Sequence, residues 1–164
     1  MEDAVDDSAG SEVTDTLLYG RHVELIPFKD SADWEYLFDL AEMDEGRYAT
    51  RDQIAEEIMK YGILFWIIEY RGIRSGVGLC LKVNDHYIME ALKDKRVSGT
   101  SIRHSIESGQ LMLDQIFGLT DIVQTCARKE DIGIQILCKK LGFKNVGIVE
   151  SGYGPLVLFQ KEKI

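Results

Sequence analysis

A run of small residues, Ser98-Gly99-Thr100-Ser101, separates an apolar strand-like segment from a helix-like one. Its main chain would offer several amide donors at the start of a helix, where orphan N–H groups and the positive end of the helix dipole favour an anion. The side chains around it point the same way. Between Lys93 and His104 there are four basic residues (Lys93, Lys95, Arg96, Arg103) against one acid, Asp94, a local excess of +3 in a chain of net charge −9. A phosphate cradle is the sharper reading of this stretch, and a solvated basic loop is the plain one.

Other chemistry is sparsely represented. His22, His86 and His104 are scattered, so a zinc site or a serine-type triad has almost no support, and no metal is expected. Cys80, Cys126 and Cys138 are odd in number, lack metal-like spacing and fall within apolar segments, which suggests reduced, packed thiols in an intracellular setting.

These residues need a scaffold, and the periodicity supplies one. The first strand is expected at His22–Phe28. Asp30 or Ser31 can cap a helix in which Trp34, Leu37, Phe38 and Ala41 recur at helical spacing. Gly46 interrupts, and a second helix reads from about Arg51, with Ile54, Ile58 and Tyr61 on one side. From Gly62 the character changes to a meander of three strands turning at Arg71-Gly72 and Asn84-Asp85. Gly76 and Gly78, inside the middle strand, mark a bulge or a close approach of backbone. Ser101 to Phe117 is helical, with Ile102, Ile106, Gly109, Leu113 and Phe117 on one face. Gly109 at its centre implies close packing or a weak element. A short strand (Ile122–Ala127), a helix with Ile134, Leu137, Cys138 and Leu141 inward, and two last strands joined through Gly152-Tyr153-Gly154-Pro155 complete the chain. The order β-α-α-β-β-β-α-β-α-β-β gives an α/β fold with a mixed sheet and helices on both faces.

The 164 residues suit a single domain over 21–164 preceded by a flexible acidic tail. Residues 1–20 carry six acids (Glu2, Asp3, Asp6, Asp7, Glu12, Asp15) and no Lys or Arg, leaving a body with 22 acids against 19 basic residues. That tail is either a solubilising leader or a docking segment for a basic partner, and it is unlike a secretory signal. A mildly acidic body argues against nucleic-acid binding, and no apolar run reaches bilayer length.

With this element order and two local patterns, the chain resembles the GNAT superfamily of acyl-CoA N-acyltransferases over roughly His22 to Lys161. The family's pyrophosphate loop, Arg/Gln-x-x-Gly-x-Gly/Ala, matches Arg96-Val97-Ser98-Gly99-Thr100-Ser101 except that Ser stands last. The second pattern, a strand, an Asn and a helix closing with Leu-Gly-Phe, matches Ile122–Ala127 and Leu141-Gly142-Phe143. Asp131 stands where Asn is usual, and Cys138 where many family enzymes carry a Tyr that protonates the leaving thiolate.

The resemblance implies acetyl-CoA as co-substrate and transfer of its acyl group to an amine, small-molecule or protein. It implies a fourth and fifth strand that splay, so that Met89–Leu92 (with Ala91 and Leu92) and Gln124–Ala127 line the pantetheine arm, helped by Asp131. Glu90 becomes the candidate base, with His86 and Asp85 as alternatives through water, and Cys138 or Tyr153 the candidate acid. Against this stand plainer readings: Glu90 as an outward strand residue, Cys138 as core. The rival function is a catalytically degenerate member acting as a structural or interaction protein, such as a phage virion or host-interaction component. The expected location is cytoplasmic, or the virion in the phage case, and a homodimer or an assembly with other proteins is open.

Overall fold

The computed structural model of the chain describes residues 22–43, 51–151 and 154–164. The acidic tail, the interruption at Gly46 and Tyr153 lie outside the described residues. Eleven elements follow the expected order: β1 (Val23–Pro27), α1 (Ser31–Met43), α2 (Arg51–Tyr61), β2 (Gly62–Tyr70), β3 (Ile73–Val83), β4 (His86–Lys93), α3 (Ile102–Ile116), β5 (Ile122–Arg128), α4 (Ile132–Lys140), β6 (Lys144–Ser151) and β7 (Gly154–Glu162). They build one seven-stranded sheet in the order β1-β2-β3-β4-β5-β7-β6. All neighbours are antiparallel except β4 and β5.

Local chemistry sets the boundaries. Asp30 Oδ1 accepts from the amides of Ala32 and Asp33 and so starts α1. The meander turns carry positive φ at Arg71 and Gly72 and at Asn84 and Asp85, as tight hairpins require. At the end of α4, Gly142 (φ +92°) occupies the left-handed C′ position. Its amide donates to Lys139 O at 3.0 Å and that of Phe143 to Cys138 O at 3.0 Å, the double closure of a Schellman cap.

Each face of the sheet carries its own core. On one, α1 and α2 cover a cluster including Leu37, Leu40, Ile54, Ile58, Val77, Leu79 and Leu92. On the other, α3 and α4 cover Trp66, Cys80, Met89, Met112, Val123, Cys138, Leu141 and Phe159. The glycines of β3 serve close approach: a Cβ at Gly76 would fall 2.5 Å from Leu92 O, and one at Gly78 2.7 Å from Met112 Sδ. The extra residue of this strand is Ser75, set by a register shift opposite Ile68 and Glu69, and its Oγ donates to Ile68 O.

Two helix faces differ from the periodicity. The buried stripe of α3 is Ser108, Gly109, Met112, Leu113 and Ile116; Ile102 is exposed, while His104 in the same turn lies against Tyr70 of β2. Gly109 reflects tight packing, since a Cβ there would meet Leu141 Cδ1 at 2.7 Å. In α4 the expected inward Ile134 is exposed: this nine-residue helix docks through its C-terminal turn, where Cys138 and Leu141 are buried. No helix among the described residues is long and apolar enough to cross a membrane.

Candidate functional site

The parallel pair β4 and β5 is joined at only two register positions, Tyr87↔Val123 and Ile88↔Gln124. Beyond them the main chains part. Thr125 Oγ1 donates to Met89 O at 2.8 Å, so a side chain spans the mouth of the opening where a ladder would use an amide. The wedge past this point is flanked by Glu90, Ala91 and Leu92 on one side and by Cys126 and Ala127 on the other. Gln124, expected to line it, belongs to the closed part and donates from Nε2 to Gln160 Oε1. Met89 is buried in the core and Leu92 faces the α1/α2 cluster, so both side chains leave the wedge to main chain.

Alternation places Glu90. Ile88 and Leu92 pack with the α1/α2 cluster, so Glu90 between them projects to that face, half-buried and opposite Leu79 on β3. His86 and Asp85 sit at the opposite end of the strand, beside a depression of about 370 Å³ that also takes in Tyr87 and Gln124. That position removes them from the loop that follows β4.

The loop itself is organised by a carboxylate. Asp94 is 4% exposed, and its Oδ1 accepts from the Arg96 amide at 3.0 Å and from Arg96 Nε at 2.9 Å. Oδ2 accepts from Arg96 Nη2 at 3.0 Å and from the Tyr36 hydroxyl at 2.8 Å. The main chain of Asp94 is held as well, its amide donating to Ser75 O and its carbonyl accepting from Val97 N. The Arg96 guanidinium holds this carboxyl down to about 2, against the opposing pull of burial, with the Tyr36 hydroxyl assisting. Burial, then the Asp94 carboxylate, push the Tyr36 phenol upward. The network continues along α1: Arg74 lies over the Tyr36 ring and donates to buried Asp33 at 2.8 Å.

Three of the six main-chain donors between Arg96 and Ser101 are therefore used inside the protein: Arg96 and Val97 turn to Asp94, and Ser101 N donates to His104 Nδ1 at 2.9 Å. Ser98, Gly99 and Thr100 remain, with no amide partner among the described hydrogen bonds. Gly99 has φ +85° and open space where a Cβ would stand. These three residues precede the first turn of α3, and unpartnered main-chain donors at a helix start suit an oxyanion. His104 accepts through Nδ1, so its proton lies on Nε2; its pKa is lowered by burial first, then by Arg71, Arg103 and Lys93.

Asp131 is exposed and caps α4, its Oδ1 accepting from Ile134 N at 3.1 Å. Cys138 is 5% exposed. Burial, with smaller contributions from Cys126 and Asp131, pushes its thiol up to about 11. None of the three cysteines forms a disulfide among the described residues; Cys80 and Cys138 are buried and Cys126 half-buried. The sequence reading had Thr125 within the Gln124–Ala127 lining but not its bond across the strands, and it missed Tyr36. Nothing local marks either one, whereas Asp94 was visible as the lone acid in a basic run.

No protein-family model matches the sequence, and no curated protein matches it. Solved structures do. Aminoglycoside acetyltransferase AAC(6')-Ib in complex with coenzyme A superposes with a TM-score of 0.68 at 14% identity, over 85% of this chain and 94% of that one. Spermidine N-acetyltransferase from Vibrio cholerae, in a dodecameric structure, gives 0.69 at 13% identity, over 87% and 94%. A GNAT-family acetyltransferase from Bacillus cereus gives 0.65 at 15% identity, over 87% and 98%. This chain has the GNAT acetyltransferase fold. At these identities the likeness is one of architecture: a GNAT sheet whose β4 and β5 part, followed by the loop from Arg96 to Ser101 that leads into α3.

Proposed function

We propose that the protein is an acetyl-CoA-dependent N-acyltransferase acting on an amine. The observation that carries this reading is the parting of β4 and β5 in the strand pair that leads into a loop where the amides of Ser98, Gly99 and Thr100 have no partner among the described hydrogen bonds. Such an opening suits an extended, amide-bearing arm entering as an extra strand, and the loop amides suit the diphosphate at its end. The structural neighbours include proteins solved with coenzyme A, which supports the same co-substrate here.

The thioester supplies an activated acetyl group, so transfer forms a C–N bond, breaks the C–S bond and releases a thiolate. The chain must then accept a proton from the acceptor's ammonium and offer one to sulfur. Glu90, beside the wedge on the α1/α2 face, is the proposed base. Cys138, kept protonated by burial, is the proposed donor. An acidic body favours a cationic acceptor such as a polyamine, lysine side chain or amino sugar. Asp131 supports the arm through the α4 cap it maintains.

A second reading, a GNAT fold retained for binding or assembly, is favoured by one observation: the thiol in the acid's place is 5% exposed. Calorimetric titration with acetyl-CoA tests the first step. Stabilisation that saturates, and that disappears in Ser98→Glu, supports the site. No binding at millimolar ligand removes the enzyme reading. Binding without turnover across a panel of cationic amines favours the second.

A further inference from the structure

We propose that Asp94 is a positioning residue for the anion cradle: with Tyr36 it locks the Arg96 guanidinium and the loop amides into the geometry that receives the diphosphate. This rests on the coenzyme A reading above and extends it to residues that touch no ligand.

The argument begins with an electrostatic contradiction. A buried carboxylate among the groups meant to attract a polyanion lowers the local potential, so as a bare charge it opposes binding. Its geometry acts the other way. Asp94 takes two of the five guanidinium donors of Arg96 in a fork, fixing the plane of the group and leaving three donors directed elsewhere. The same carboxylate and its own carbonyl hold the Arg96 and Val97 amides, fixing the start of the loop in which Ser98 and Gly99 are exposed and Thr100 half-buried. An exposed arginine left to itself would lose side-chain entropy on ligand binding; here that ordering precedes the ligand.

Tyr36 gives the clamp its anchor. Its hydroxyl holds Oδ2 from α1, an element distant in sequence, and α1 covers the face on which Glu90 lies. The cradle is thus braced against the helix that borders the proposed acceptor side.

The test needs no acceptor. Dissociation constants for coenzyme A are measured by calorimetry on the full chain and on Asp94→Asn, Tyr36→Phe, Arg96→Ala and the pairs Asp94→Asn/Arg96→Ala and Tyr36→Phe/Arg96→Ala. Amide exchange at Arg96 and Val97 is followed alongside. The positioning role predicts about tenfold weaker binding in Asp94→Asn and about threefold in Tyr36→Phe. Both effects should shrink in the Arg96→Ala background, which removes the guanidinium but keeps the main-chain bonds to Asp94, and exchange at the Arg96 amide should accelerate in Asp94→Asn. Tyr36→Phe leaves the charge unchanged and carries the test if Asp94→Asn does not fold. Tighter binding in Asp94→Asn means that the residue acts only as a charge, and an equal loss with and without Arg96 means that it is merely structural. Either result overturns the proposal, as does unaltered affinity. Failure of the unsubstituted chain to bind coenzyme A is read separately and overturns the functional reading itself.

Discussion

Glu90 and Cys138 carry the proposed chemistry, and each makes a prediction that separates catalysis from packing. Glu90→Gln preserves shape and removes the base; with a competent acceptor, kcat is expected to fall about 100-fold while coenzyme A affinity stays within a factor of two. Unchanged turnover would return Glu90 to the ordinary half-buried strand position. Cys138→Ala removes a sulfur from a packed core, so stability should drop by about 1–2 kcal/mol in urea unfolding whatever the thiol does. Loss of turnover beyond that expected from unfolding would mark it as the proton donor. His104 makes a third case, with a sign fixed by the depressed pKa. The neutral ring accepts the Ser101 amide, and protonation is disfavoured in the fold relative to the unfolded chain. As pH falls below the ordinary histidine value of 6.5, the unfolded state takes the proton first and stability declines. Urea midpoints at about pH 7.5 and about pH 5.5 should differ more in the parent than in His104→Asn, which keeps a cap-competent side chain without the titration.

At the level of elements, the glycines inside β3 leave no room for a side chain. Gly76→Ala would force a Cβ against Leu92 O, main chain that cannot rotate away, and should cost about 1–3 kcal/mol in a thermal or urea melt. Because Leu92 lies on the strand bordering the wedge, coenzyme A affinity should fall with it. Ala substitution at Gly109 meets only the tip of Leu141 and should be milder. These contacts show where sequence reading succeeds. Turns, strands and helix order were legible because Arg71-Gly72, Asn84-Asp85 and Gly142 encode their own backbone conformations, and because apolar periods mark strands and helices locally. Helix rotation was less so: Ile102 and Ile134 are apolar at helical spacing yet exposed, since a period cannot show which of its positions the tertiary contacts cover. The anion loop was legible from its small residues and its charge. Its internal wiring was not, because the Tyr36–Asp94 hydrogen bond joins residues 58 apart in sequence.

On the scale of the whole molecule, the sheet is two ladders meeting at a short parallel seam, β1–β4 on one side and β5-β7-β6 on the other. What unites them is the α3/α4 core, in which Trp66 and Cys80 from the first ladder share a cluster with Val123 and Phe159 from the second. The wedge is therefore open without dividing the fold. A coenzyme entering it meets a chain of net charge −9 whose positive groups are concentrated around Lys93–His104. Much of that net charge belongs to residues 1–20, which contribute −6 and no cation. Long-range repulsion of a polyanion scales with total charge and is screened within about 10 Å at 0.1 M salt, whereas the cradle acts at contact. Removing residues 1–20 should therefore speed coenzyme A association about threefold at roughly 10 mM salt, with little effect near 0.5 M. Stopped-flow binding over a salt series checks this. An equal effect at both ionic strengths would show that the segment acts by contact rather than through its field.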